Sequence, residues 1–138
     1  MKDTFKVIKH SAYRWKGIEV KPYKSEEPAC YTDVTRQTLL GEGAGEEDLN
    51  FITRYFEIEP GGFSSLEMHG HAHAVIILRG TGQAILGDQV YDIEPYDCVY
   101  VSPWAVHQFR ATGDTPLGFL CTVDRLRDRP RAAESNIQ

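Results

Sequence analysis

The sequence predicts an all-β protein built as one sandwich or barrel. Three observations lead there. No segment keeps helical periodicity over about ten residues. Short runs rich in Val, Ile, Thr, Tyr and Phe recur about every 8–12 residues. Gly, Pro and Asp punctuate them at Pro60-Gly61-Gly62, Gly87-Asp88, Pro95-Tyr96-Asp97 and Gly113-Asp114-Thr115-Pro116. A chain of 138 residues suits a single domain. That size buries roughly two-thirds of the surface its unfolded chain exposes.

Taken in order, Thr4 to Lys9 and Tyr13 to Val20 read as short strands, and Pro22 and Pro28 stop any continuation. Tyr31 to Leu40 is a Thr-rich strand. It ends in Gly41-Glu42-Gly43-Ala44-Gly45-Glu46-Glu47-Asp48, whose glycines lack the spacing of a phosphate loop. This acidic stretch reads as a solvated connection. Asn50 to Glu59 alternates, with Arg54, Phe56 and Ile58 on one face and Tyr55, Glu57 and Glu59 on the other. Pro60-Gly61-Gly62 turns the chain into a histidine-bearing strand that runs to Leu78. Gln83 to Leu86, Gln89 to Ile93, Cys98 to Val101, Val106 to Arg110 and Leu117 to Val123 follow as further strands. The barrel core thus spans about 50–123, with N-terminal strands and the acidic loop over 1–49. Residues 124–138 form a charged, solvated arm.

Composition removes several function classes. The net charge is −5 and no Lys/Arg cluster tracks phosphates, so nucleic acid is not an expected partner. No apolar run approaches the length of a membrane span. The N-terminus lacks the apolar core of a signal peptide. Cys30, Cys98 and Cys121 are scattered and odd in number, which implies free thiols in a reducing, cytoplasmic setting. Cys98 and Cys121 fall in apolar strands and are expected to be buried and inert. Ala74 to Leu78 is apolar on both faces, so its outer face needs a cover. The N-terminal strands or a second subunit could supply it, and a homodimer is expected.

Chemistry concentrates in Glu67-Met68-His69-Gly70-His71-Ala72-His73. On a strand, residues two apart share a face, so Glu67, His69, His71 and His73 project together. Imidazole and carboxylate are ligands for Zn, Fe, Mn, Ni and Cu, so this segment is expected to carry most of a site for one divalent transition metal ion. Unclustered His-x-His pairs are often just a solvated face, but three aligned histidines with a Glu are harder to explain that way. His107 follows behind Pro103-Trp104-Ala105. Arg54 could point inward and clamp a substrate carboxylate, or simply be solvated. Phe109 shares the parity of His107 and should line the pocket. His71 and Glu67 are the candidate acid–base groups if they do not bind metal.

These residues resemble the cupin superfamily of small jelly-roll barrels. Pro60-Gly61-Gly62 and Gly80 bracket a segment similar to the first cupin motif. Gly87-Asp88, Pro95-Tyr96-Asp97 and Pro103 to His107 are similar to the second. Counting back from Gly80, the resemblance implies Glu67, His69, His73 and His107 as ligands, with the carboxylate moved to the other end of the usual set. A bulge would instead pair His69 with His71. Ala111 stands where the family often has Asn, a departure that bears on substrate orientation. The resemblance implies a jelly-roll β-barrel and a metal-dependent enzyme, a dioxygenase or oxalate-decarboxylase-like protein acting on a small organic acid or enolisable carbonyl. The other reading is a non-catalytic module that binds metal and a small molecule.

Overall fold

The computed structural model describes residues 5–23, 31–126 and the backbone of residues 131–132. The strands are β1 (His10–Ser11), β2 (Arg14–Trp15), β3 (Lys21–Pro22), β4 (Thr32–Leu40), β5 (Phe51–Phe63), β6 (Glu67–Met68), β7 (His73–Arg79), β8 (Gly82–Leu86), β9 (Gln89–Ile93), β10 (Cys98–Val101), β11 (His107–Ala111), β12 (Leu117–Asp124) and β13 (Arg131–Ala132). Every strand pair is antiparallel. No helix occurs among the described residues, and none is long and apolar enough to cross a membrane.

One curled sheet follows the order β10-β7-β12-β5-β11-β6-β13, with β4 paired to β5 and β3 to β4, and with β8 paired to β11 and β9 to β8. Strand β5 closes it. Its first part pairs with β12 on one side and β4 on the other, while Phe63 at its end pairs with Arg110 of β11. The expected turn at Pro60-Gly61-Gly62 is instead a bend within β5. Gly61 has φ 83°, and a Cβ on Gly62 would strike the Thr32 carbonyl oxygen. The strand therefore crosses from one side of the barrel to the other without a break.

Alternation decides what lies inside. Phe56, Ile58, Val75, Ile77, Val99, Phe109, Leu117, Phe119 and Val34 form one buried cluster. Ile58, Ile77 and Leu117 are fully shielded, and each such side chain contributes about 1.5–3 kcal/mol of transfer free energy. Truncating one, as in Ile77→Ala, would cost about 2–5 kcal/mol.

The N-terminal segment differs from the sequence reading. Thr4 lies outside the described residues, and residues 5–9 carry no strand. Of Tyr13 to Val20, only Arg14–Trp15 is strand, in a hairpin with β1 turned by Ala12 and Tyr13 at φ 49° and 61°. Its aromatic residues are used for stacking rather than for a ladder. Tyr13 and Trp15 pack on Tyr55 at centroid distances of 5.9 and 5.0 Å. The segment thus covers the outer face of β5, and Ala74 and Ile76 on β7 stay exposed.

The acidic loop is also more than a solvated connection. The carboxylate of Glu46 is buried and accepts bonds from the backbone N–H of Gly41 at 2.6 Å and of Gly43 at 3.1 Å. At the other end, Arg131 and Ala132 pair with β6, so that part of the expected free arm joins the sheet. The remainder of the arm beyond Leu126 lies outside the described residues, as do Pro28 and Cys30.

Candidate metal centre

The histidine segment is not one strand. Glu67–Met68 and His73–Arg79 are separate strands, and residues 69–72 bend between them. Geometry requires the break. Four residues of continuous strand would hold His69 and His73 about 13 Å apart. Folded at Gly70, the chain brings their Nε2 atoms to 2.7 Å. His107, at the start of β11 and opposite Glu67 in the register, completes the cluster. The ligand atoms of His69, His73 and His107 all lie within 4.8 Å of one another, and all three residues are buried.

The other ring nitrogens explain why these three converge. His69 Nδ1 donates to the His71 carbonyl at 2.8 Å, and His107 Nδ1 donates to the Ala105 carbonyl at 2.9 Å. A carbonyl only accepts, so the proton sits on Nδ1 and the Nε2 lone pair faces the cluster. His73 Nδ1 meets the Cys121 sulfur at 2.7 Å. Burial, then the neighbouring His71 and His107, push His69 down to about 4. Burial, then His107 and His69, push His73 down to about 2. Both are neutral at pH 7, the form that binds metal. Nitrogens sharing one ion stand roughly 3 to 4 Å apart. These residues fit a divalent transition metal, and three such ligands leave positions open for substrate.

Glu67 and His71 occupy different places around the trio. Glu67 Oε1 lies 4.0 Å from His69 Nε2 and 3.9 Å from His107 Nε2. Its other oxygen accepts from Ser65 Oγ at 2.6 Å, and the Tyr23 hydroxyl stands 3.4 Å from Oε1. Burial and the Glu67 charge raise the Tyr23 hydroxyl above its ordinary value. His71 stacks flat on His69, centroids 3.7 Å apart, and its ring lies 5.3 Å from that of His73. Trp104 sits half-exposed at φ 65° and donates its backbone N–H to the His69 carbonyl at 2.7 Å.

One thiol expectation is corrected. Cys98 is exposed, because its strand parity places it on the outer face opposite Ile76. Cys121 is buried as expected, within the core cluster. It faces the barrel interior beside His73, and Arg54 Nη2 reaches it at 3.7 Å. Arg54 does point inward, and lies 4.9 Å over the Phe56 ring. Phe109 is buried against Phe119 at 4.7 Å. Sequence reading missed Cys121, Tyr23 and Ser65. The parity of Cys121 with Phe119 and Val123 was the available signal for an inward thiol; nothing in the sequence tied Tyr23 to Glu67.

Known proteins extend this picture. A family model described as a cupin domain matches residues 54–123. The 1-methylthio-D-xylulose 5-phosphate methylsulfurylase of Rhodospirillum rubrum is 48% identical over 122 residues, which cover 88% of this chain and 75% of that protein. A crystal structure of a cupin 2 conserved barrel domain protein from Rhodopseudomonas palustris superposes with a TM-score of 0.84 at 41% identity, covering 95% of this chain and 88% of that one. A cupin-2 domain structure from Rhodospirillum rubrum gives 0.79 at 47% identity, covering 93% and 83%. Barrel, inward histidine trio and sequence agree, and the chain belongs to the cupin family.

Proposed function

We propose that this protein is a metal-dependent enzyme that takes a methylthio group from an enolisable ketose phosphate, with Cys121 as the acceptor. One observation carries the reading: the Cys121 sulfur lies inside the barrel, 2.7 Å from Nδ1 of His73, whose other nitrogen joins the trio. The 48%-identical relative named as a methylsulfurylase supports it. That relative's named substrate carries a thioether carbon next to a ketone, an enolisable carbonyl of the class the sequence suggested. Dioxygenase and decarboxylase chemistry, the other classes the family resemblance implies, give this thiol no role.

The step balances as follows. The Cys121 thiolate attacks the methylthio sulfur, and an S–S bond forms as the sulfur–C1 bond breaks. The electron pair moves to C1 and is delocalised onto the neighbouring carbonyl oxygen. A proton then adds to C1. Cys121 is left as a methyl disulfide, and a small thiol reductant restores it by exchange. When bound, the metal supplies Lewis-acid polarisation of the ketone. His69, His73 and His107 would hold it, with Glu67 as the fourth ligand. The His73 Nδ1–H fixes the sulfur in place, and the Arg54 guanidinium offsets its charge. His71, stacked on the ligand ring, carries the proton. The aromatic wall of Phe56, Phe109 and Phe119 excludes water.

Mass spectrometry of the intact chain tests this after one turnover with 1-methylthio-D-xylulose 5-phosphate and no added thiol. The wild type should gain one methylthio group at Cys121, removable by a small thiol, and Cys121→Ser should gain none. Full turnover by Cys121→Ser would overturn the reading. O2 uptake independent of Cys121 would return the protein to the oxygenase class, and saturable binding without product to the non-catalytic one.

A further inference from the structure

The inner face of the sheet holds two arginines: Arg54, only one of whose nitrogens reaches the Cys121 sulfur, and Arg36, which the reaction above does not use. Reading across the strands, Cys121 pairs with Arg54, and Arg54 pairs with Thr38 on β4. One step along, Phe56 pairs with Arg36, and Arg36 pairs with Lys21 on β3. Val34 shares the parity of Arg36 and belongs to the core cluster. Arg36 therefore lies on the same inner face as Arg54, on the way from Cys121 to the sheet edge.

Each guanidinium leaves one buried donor open. Arg54 is only 9% exposed, yet its Nε–H has no hydrogen-bond partner, and the Nε–H of Arg36 is equally buried and equally alone. Neither arginine, nor Lys21, pairs with a carboxylate among the described residues. Burying a guanidinium with no counter-charge is costly, and native proteins rarely leave such donors open without a use for them. Two planar forks on one concave face match a phosphate dianion, which accepts from several donors at once.

We propose that Arg36 and Arg54 form an anion subsite that takes the phosphate of the substrate, with Lys21 at its outer edge. The inference rests on the sulfur-transfer reading for the identity of the ligand, a phosphorylated open-chain ketose. An extended substrate would then lie along the inner face, its sulfur end at Cys121 and its phosphate toward Arg36. Arg54, between them, would serve both ends.

The test is calorimetric titration of the full chain with D-xylulose 5-phosphate, D-xylulose and inorganic phosphate, before and after a chelator. The phosphate ester should bind at least tenfold tighter than the free sugar, inorganic phosphate should compete, and the advantage should survive chelation. Arg36→Met and Arg54→Met should each reduce it at least fivefold, the double variant should erase it, and Arg54→Lys should keep part of it. An unchanged advantage in the double variant would overturn the subsite. So would an advantage that vanishes with the metal, since the phosphate would then sit on the ion. Thermal melts guard against misfolding. Without ligand, Arg54→Met should melt no lower than wild type, because it removes an unpaired buried charge. A large drop would make Arg54 structural and count against the proposal. If the phosphate advantage holds while Cys121 takes no methylthio group, the subsite stands and the sulfur reading falls. The converse result would sink the subsite alone.

Discussion

Strand β5 carries charges on both faces, and the two faces treat them differently. On the outer face Glu57 is buried and fully engaged. Its Oε2 accepts from Tyr55 at 2.9 Å and from Arg79 at 3.1 Å, with Arg14 at 3.6 Å. Gly118 makes the arrangement possible, since a Cβ there would collide with the Tyr55 hydroxyl. Gln37 and the rings of Tyr13 and Trp15 seal it. On the inner face Arg54 has an open Nε–H, a sulfur for a neighbour and no carboxylate. A charge that the fold has already satisfied holds the fold together. One left unsatisfied next to a histidine trio is available to a ligand. The same alternation that built the strand separates structure from chemistry.

The largest effect should come from the inner face. Cys121→Ser should lower methylthio transfer by at least about a thousandfold while leaving the melting temperature nearly unchanged, measured by product formation and by circular dichroism. His69→Ala, His73→Ala and His107→Ala should each lose about one equivalent of bound metal on elemental analysis, since a trio cut to a pair holds an ion poorly. A metal content that survives His107→Ala would move the site elsewhere.

How much of this contrast the sequence revealed depends on which relation each residue needs. Parity along one strand is local, so the inward side of Arg54 and Phe56 was legible from the alternation of Asn50 to Glu59. The histidines were legible as ligands because their type and density are unusual. Their geometry was not. A uniform strand through Glu67 to His73 keeps the ligands too far apart, and only the bend at Gly70 lets them meet. Cys121 and Arg54 lie 67 residues apart in sequence. Their contact depends on the β5–β12 register, which no local pattern prints. The N-terminal aromatic residues misled for a related reason. They have strand-like composition, but their partners are the rings and backbone of the outer face, not another ladder.

The next effect belongs to the outer face and concerns stability rather than turnover. Glu57→Ala leaves the Tyr55 hydroxyl buried without its acceptor and Arg79 without its partner. It should destabilise the chain by about 2–4 kcal/mol in urea titration. Arg14 is nearly half exposed and adds little to that figure. Equal losses from Glu57→Ala and Arg54→Met would erase the distinction between the two faces.

A smaller test concerns the part of the outer face that the N-terminal segment leaves bare. Ile76 is 43% and Tyr100 is 68% exposed, Cys98 is exposed beside them, and among the described residues β10 pairs with β7 alone. An uncharged edge strand flanked by apolar side chains invites pairing with an identical edge. We propose that two copies associate there as a homodimer. Light scattering should then show a dimer for the wild type and a monomer for Ile76→Glu, with methylthio transfer largely retained. A monomeric wild type at micromolar concentration would refute the pairing.

The smallest effect lies in the acidic loop and shows itself through pH. Glu46 is held below the ordinary glutamate value of 4.5, chiefly by the Lys6 ammonium at 2.5 Å, with the Gly41 and Gly43 N–H groups assisting against the opposing effect of burial. Gly41 itself is fixed by this contact. Its φ is 111°, and a Cβ there would strike the Phe51 carbonyl oxygen and Ile52. A carboxylate whose folded pKa is depressed stabilises the fold above its unfolded pKa and loses that contribution as pH falls through the folded value. Glu46→Gln should therefore melt below the wild type at pH 7, and the gap should close as the buffer is taken below 4.5. Lys6 is partly exposed, so salt should narrow the gap at pH 7 as well. A gap that stays constant with pH would mean that shape, not charge, holds the loop. The buried Glu46 would then differ in kind from Glu57, although both are acidic groups the fold has enclosed.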